Sequence, residues 1–173
     1  MLLKAAKRLL VEFPDVHFVL IGEGAAKEEF MKEVEEEKLG NITMLPFQPY
    51  EEISHVFSLG DAGAIMSKPG IGGSSVPSKT WSIMAAERPV LASFDEDSEL
   101  TKLINDVGCG VCADAKSVDA LISAIQRLYV DRENAQKLGK AGRCYVVEYL
   151  DKERCTRKYV ETIRSAYMRG ERK

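Results

Sequence analysis

A doubly wound α/β fold, with helices on both faces of a parallel sheet, is predicted from three features of the sequence. Short apolar runs of strand length alternate along the chain with longer stretches at helical spacing. The runs at 16–21, 61–66 and 89–93 are nearly continuous in apolar residues, as strands covered on both faces are. A loop of small residues from Gly70 to Ser75 stands between one such strand and a helix, and at that kind of turn open parallel sheets bind their ligands.

Each element follows from local pattern. Leu2, Leu3, Ala6, Leu9, Leu10 and Phe13 keep helical spacing, and Pro14-Asp15 ends that helix. Val16 to Ile21 reads as a strand bounded by Gly22, and Gly22-Glu23-Gly24 leads into a helix with Phe30, Val34 and Leu39. The charge run from Glu33 to Lys38 is its solvated face. Ile42 to Leu45 is the next strand, followed by Pro46, Phe47, Gln48 and Pro49 and a short helix with Ile53, Val56 and Phe57. After the strand at Asp61 to Met66, Pro77 is expected at the first helical position, where its missing N–H costs nothing. Trp81, Met84 and Ala85 give that helix an apolar face, and the pre-proline residue Arg88 ends it. Pro89 to Ser93 is a strand, Asp97 to Asp106 a helix, and Gly110 to Cys112 a short strand. Three helices complete the chain. Ser117 caps one carrying Val118, Leu121, Ile122, Ile125, Leu128 and Tyr129; Asp131 caps the next, with Leu138, Tyr145, Val146 and Tyr149. Asp151 caps the last, over about 151–168, with Cys155, Tyr159, Ile163 and Tyr167.

Composition bounds the function. One domain, 1–173, is expected from this length, with 45% hydrophobic and 29% charged residues. A net charge of −3 argues against nucleic-acid binding, which needs a basic face to displace counterions. No apolar run reaches about 18 residues, so no transmembrane segment is predicted, and the amphipathic N-terminus does not read as a signal peptide. A cytoplasmic location is the expectation. Arg164, Arg169, Arg172 and Lys173 form a cation-rich tail that reads either as a peripheral contact with the inner face of a membrane or as a solvated chain end. Cys109, Cys112, Cys144 and Cys155 are poorly spaced for zinc and read as reduced structural thiols. His17 and His55 have no nucleophile at a useful spacing and read as structural.

The chemistry concentrates near the Gly/Ser loop. Gly72, Gly73, Ser74 and Ser75 let backbone N–H groups approach an anion, and the following helix directs its partial positive charge the same way. With Ser78 and Lys79 they would suit a diphosphate. The competing reading is that the serines only cap a core helix and Lys79 is solvated. Gly22 and Gly24 lie on a strand-to-helix turn at the ligand edge, but G-x-G without a third glycine is no dinucleotide fingerprint.

The run VPSKTWSIMAAERPVLASFDEDSEL, with IGEG before it and GCGV after it, resembles the C-terminal, nucleotide-sugar-binding half of retaining family 4 glycosyltransferases of the two-domain GT-B fold, in their bacterial polysaccharide-biosynthesis form. The resemblance implies a Rossmann-like half of a GT-B fold with extra C-terminal helices, binding a nucleoside-diphosphate sugar. It assigns Lys79 to the diphosphate. It also places Glu99 near the donor, unless that residue is simply a first-turn glutamate favoured by the helix dipole. Phe47 falls in the loop that borders the nucleobase, where it would stack on the base or else belong to the core. No cofactor and no metal are implied.

Three departures are visible. The two glutamates that many relatives carry eight positions apart fall at Ser74 and Ser82, and the glycine expected before Arg88 is Glu87. The resembled domain also has a first strand, at the middle of its sheet, before the helix that here begins at Met1. The chain is therefore expected to be truncated relative to the two-domain enzyme, with bare strand edges that rearrange or pair in a homodimer. Because the N-terminal acceptor domain is absent, the isolated chain is expected to be inactive. Two functions follow: the donor-binding domain of a transferase moving a hexose, with retention, to a glycan or lipid-linked acceptor, or a non-catalytic interaction or donor-binding subunit of a split transferase.

Overall fold

The computed structural model describes residues 1–71 and 76–170. Two parallel ladders form the sheet region. In the first, β1 (Phe18–Ile21) pairs with β2 (Ile42–Leu45), with Phe18 opposite Ile42 and Ile21 opposite Leu45. The second has the order β3-β4-β5, from β3 (Gly63–Met66), β4 (Val90–Phe94) and β5 (Gly110–Asp114), with Gly63 opposite Val90 and Val90 opposite Gly110. α1 (Leu2–Glu12) precedes β1, and α2 (Lys27–Glu36), α3 (Ile53–Ser58), α4 (Lys79–Ala85) and α5 (Glu99–Val107) connect successive strands. The chain ends in α6 (Val118–Val130), α7 (Arg132–Tyr149) and α8 (Lys152–Gly170).

Strand β4 explains why the fold is doubly wound. All five of its residues are buried, and they alternate between two cores as a pleated strand requires. Leu91 packs with Ala5 and Leu9 of α1, Val111 and Ala113 of β5, and the Leu121, Ile122, Ile125, Leu128 face of α6. Val90, Ala92 and Phe94 face the other way, onto Ile83 and Met84 of α4, Leu100 and Ile104 of α5, and Tyr145 and Val146 of α7.

The outer strands differ from expectation. Val16 to Ile21 reads as covered on both faces, yet the strand begins at Phe18, none of its residues is fully buried, and Val19 is 43% exposed. Of β3 only Ile65 is buried. Among the described residues, β1 and β3 each have a ladder neighbour on one side only.

Capping follows the sequence closely. The side chains of Ser117, Asp131 and Asp151 accept hydrogen bonds from Ala120 N–H at 3.0 Å, Asn134 N–H at 2.9 Å, and Glu153 N–H at 3.0 Å. Such caps are each worth about 1 kcal/mol. Ser98 does the same for α5, accepting from Thr101 N–H at 3.1 Å, and Gly108 closes that helix at φ +66°.

Two helix readings need correction. Pro77 is not the first residue of α4: the helix starts at Lys79 with Ser78 as its N-cap, and Pro77 forms a preceding turn through Thr80 N–H to its carbonyl at 2.9 Å. The buried face of α4 is Thr80, Ile83 and Met84, with Trp81 and Ala85 only partly covered. In α7 the fully buried residues are the small ones, Ala135, Gly139 and Gly142, while Tyr149 is largely exposed. Small residues win there because α7 lies close against the end of α4; a Cβ on Gly139 would stand 2.3 Å from the Glu87 carbonyl oxygen.

Glu87 itself sits at φ +58°, beyond the C-terminus of α4, with its N–H bonded to Met84 O at 3.0 Å and Arg88 N–H to Ile83 O at 3.2 Å. A left-handed residue with a Cβ costs about 1 to 2 kcal/mol relative to glycine, part of which is returned by the unfolded chain's lower entropy. Glu87→Gly is therefore expected to raise stability by about 1 kcal/mol. The check is a higher urea midpoint at unchanged m-value.

Candidate functional site

The carboxyl ends of the parallel strands carry the predicted site residues, in two groups. At the end of β1, Gly22 donates its N–H to Leu45 O at 3.0 Å and adopts φ +140°. The Phe47 ring covers it so closely that a Cβ there would lie 3.3 Å from the ring edge. Phe47 is 71% exposed, so it is not a core residue; its ring is fixed on one side by Gly22 and open on the other. Gly24 stands on the turn into α2, where Lys27 N–H reaches its carbonyl at 3.0 Å and nothing would crowd a Cβ.

The second group follows β3 and β4. Ser67 N–H bonds Ser93 O at 3.0 Å, beyond which the chain leaves the ladder. Gly70 turns it at φ +79°. Gly72, Gly73, Ser74 and Ser75 lie outside the described residues. Ser78 and Lys79 are exposed at the start of α4, and the Ser78 side chain makes no capping bond to the helix. The Ser78 hydroxyl is thus not used as a cap, whereas Lys79 is exposed, as the competing reading expects. Met1 reaches this edge as well, its Sδ accepting from the Ser93 hydroxyl at 3.3 Å.

Glu99 is exposed in the first turn of α5 and accepts from Lys102 Nζ at 2.9 Å. Its carboxylate therefore has a partner on its own helix. The residue that the sequence reading passes over is Asp95, directly after β4. Its two carboxylate oxygens accept from Gly70 N–H at 3.1 and 2.9 Å. The one sequence signal for it is position, as the first carboxylate beyond the end of a buried strand.

The remaining candidates are structural. His17 Nε2 lies 2.7 Å from Thr43 Oγ1 across the β1–β2 ladder, and His55 Nδ1 lies 2.7 Å from Glu52 on the same short helical stretch. Burial pushes the Cys109 thiol up to about 11, which leaves no thiolate for chemistry near neutral pH. Burial raises Cys112 as well, against a hydrogen bond with Thr101 that lowers it. All four cysteines are free, and no cluster of His, Cys, Asp and Glu that could hold a metal ion is found among the described residues. No described helix is long and apolar enough to cross a membrane.

Known proteins place this geometry. The chain is 29% identical over 164 residues to a putative colanic acid biosynthesis glycosyl transferase, WcaI, of Escherichia coli, an alignment that covers 94% of this chain and 39% of that protein. It thus spans well under half the length of that relative. Among solved structures it superposes on Anabaena HepE in complex with UDP-glucose with a TM-score of 0.76 at 16% identity, covering 94% of this chain and 44% of that one. It also superposes on the C-terminal domain of a Francisella tularensis glycosyl transferase group 1 family protein, LpcC, with a TM-score of 0.68 at 21% identity, over 87% of this chain and 78% of that one. The fold is the Rossmann-like half of GT-B glycosyltransferases, with additional C-terminal helices. The model of the glycosyl transferases group 1 family matches residues 1–144, and the chain belongs to that family.

Proposed function

We propose that this chain is the donor-binding half of a glycosyltransferase that moves a hexose, with retention, from a nucleoside-diphosphate sugar to a glycan or lipid-linked acceptor. The observation that carries the reading is the place of these residues at the carboxyl edge of parallel strands: Phe47 closes over Gly22 after β1, Gly70 turns the chain after β3, and Ser78 and Lys79 open α4. In open α/β sheets that edge is where ligands sit. In this reading Phe47 offers its open face to the base, a preference that does not discriminate bases strongly. The α4 N-terminus and Lys79 meet the diphosphate, whose charge grows as it leaves, so the same groups stabilise the departing anion. The solved HepE complex holds UDP-glucose, which supports a sugar nucleotide as the ligand class. The diphosphate's charge is balanced here by the chain's own groups, without a cofactor.

Helix α8 supports the companion proposal that a second domain or subunit completes the enzyme and supplies the acceptor site. Tyr159, Ile163 and Tyr167 form a stripe on it that is 73%, 65% and 67% exposed. Such a stripe suits a docking face.

Calorimetric titration of this chain with UDP, GDP and ADP tests the donor reading. One of the three is expected to bind at micromolar to millimolar level, about 4 to 8 kcal/mol. Lys79→Ala should weaken that binding by roughly tenfold, the worth of one charge-assisted contact. Absence of binding by all three sinks the donor assignment, and unchanged affinity in the variant removes Lys79 from it.

A further inference from the structure

We infer that the basic side of α8 is a contact for an anionic lipid surface, the bilayer in which a lipid-linked acceptor would lie. The inference takes from the reading above that the stripe of Tyr159, Ile163 and Tyr167 turns to a second domain or subunit, and it concerns the opposite side of the helix.

The two sides follow from spacing. Residues two apart on a helix point in nearly opposite directions. The positions two before Tyr159, Ile163 and Tyr167 are Arg157, Glu161 and Ser165, and Arg154, Lys158 and Arg164 stand beside these on the same side. Four cations therefore share that side with one carboxylate. From Lys152 to Arg169 every residue of α8 is exposed except Cys155, which is half-buried, so packing commits none of these cations to the body of the protein. Arg154 pairs with Asp151 at 3.5 Å, whereas Arg157, Lys158 and Arg164 have no ion pair among the described residues.

Charge sets this helix apart from the rest of the chain. Residues 152–170 carry six Lys or Arg and two Glu, a net of +4, while residues 1–151 carry 16 Lys or Arg and 24 Asp or Glu, a net of −8. An anionic bilayer repels the acidic body and attracts the basic helix, so the same asymmetry both recruits the chain and orients it, α8 towards the headgroups and the body away. Each Lys or Arg within a Debye length of such a leaflet strengthens binding about fivefold. A helix with Lys and Arg along its polar face is also the form that lies in the plane of an interface. A nucleic acid, the other common polyanion, fits less well: it would run on from the helix over the acidic body, whereas a planar surface can meet α8 alone.

The experiment floats the wild-type chain at low salt with vesicles of equal parts phosphatidylglycerol and phosphatidylcholine, and with vesicles of phosphatidylcholine alone. Binding is expected on the mixed vesicles only, and its loss is expected at about 0.5 M sodium chloride. Replacing Arg157, Lys158 and Arg164 together by Gln should weaken it about hundredfold, three cations at about fivefold each. The matched control, Lys32→Gln with Lys137→Gln and Lys140→Gln, takes the same charge from the body and should stay within about threefold of wild type. Gln sustains a helix about as well as Lys or Arg, so both variants should keep the wild-type circular dichroism. No binding to the mixed vesicles overturns the inference, as does equal binding to the neutral ones, which would mean that the apolar stripe and not the cations holds the lipid. Equal loss in the two triple variants overturns it too, and so does duplex DNA that binds as tightly at the same salt. The diphosphate titration reads the other end of the argument, at Phe47 and Lys79, so a failure here leaves the donor reading standing and the reverse also holds.

Discussion

Gly110→Ala is expected to destabilise the chain by about 3 kcal/mol, as a clash between backbones that neither strand can relieve by a rotamer change. A Cβ at Gly110 would stand 2.1 Å from the carbonyl oxygen of Val90, its ladder partner. Val90 is fully buried on the central strand and cannot withdraw without parting β4 from β5. The urea midpoint should fall sharply. Gly40→Ala is the matched control, since a Cβ there meets nothing within 4 Å and its effect should stay within about 0.5 kcal/mol. Equal midpoints for the two variants would show that β4 and β5 do not approach as described.

Met84→Ala should cost about 2 to 5 kcal/mol, the range for emptying a fully buried site of that size. Met84 lies between α4 and α7, and a Cβ on Gly142 would come within 3.1 Å of its Cγ. The other near neighbours of that Cβ would be the Cys109 Cβ at 3.2 Å and the Met84 Cβ at 3.3 Å. The pair offers an internal test: Gly142→Ala alone crowds Met84 Cγ, Met84 Cβ and Cys109 Cβ, and Met84→Ala removes the tightest of these three contacts while leaving the other two. The double variant should be less destabilised than the sum of the singles by about 1 kcal/mol. Strict additivity in denaturant unfolding would mean that the two side chains do not share that volume. Because α4 also carries Ser78 and Lys79, diphosphate binding should weaken in Met84→Ala and recover in part in the double variant.

Local features of this fold were legible in the sequence and pairings at a distance were not. Ser117, Asp131 and Asp151 declare themselves because a cap and the N–H it accepts from are two or three residues apart. Ser98 was hidden by the acidic run before it, which reads as the start of the helix itself. Gly139 and Gly142 escaped because counting apolar residues along α7 picks out large side chains, while the contact with α4 selects for the absence of one. The exposure of β1 and β3 depends on which neighbours they lack, and no residue within either strand encodes that.

The candidate site divides in the same way. Gly22, Ser78 and Lys79 were found from strand-to-helix turns, which are local. That Phe47 closes over Gly22 depends on β1 pairing with β2, and that Asp95 reaches Gly70 depends on β3 pairing with β4. Both are contacts between residues 25 positions apart. Glu99 was placed by analogy, and in the structure its carboxylate bonds Lys102 on its own helix.

The separation of the two ladders has a mechanical consequence. Among the described residues, the β1–β2 pair shares no rung with the larger ladder; Asn41 Nδ2 donates to Ala6 O of α1 at 2.9 Å, Glu37 pairs with Lys7 of α1, and Phe18 packs against the core that holds residues of α1, β4, β5 and α6. A ligand held by both Phe47 and Lys79 would act as a brace between two ladders that share no backbone rung.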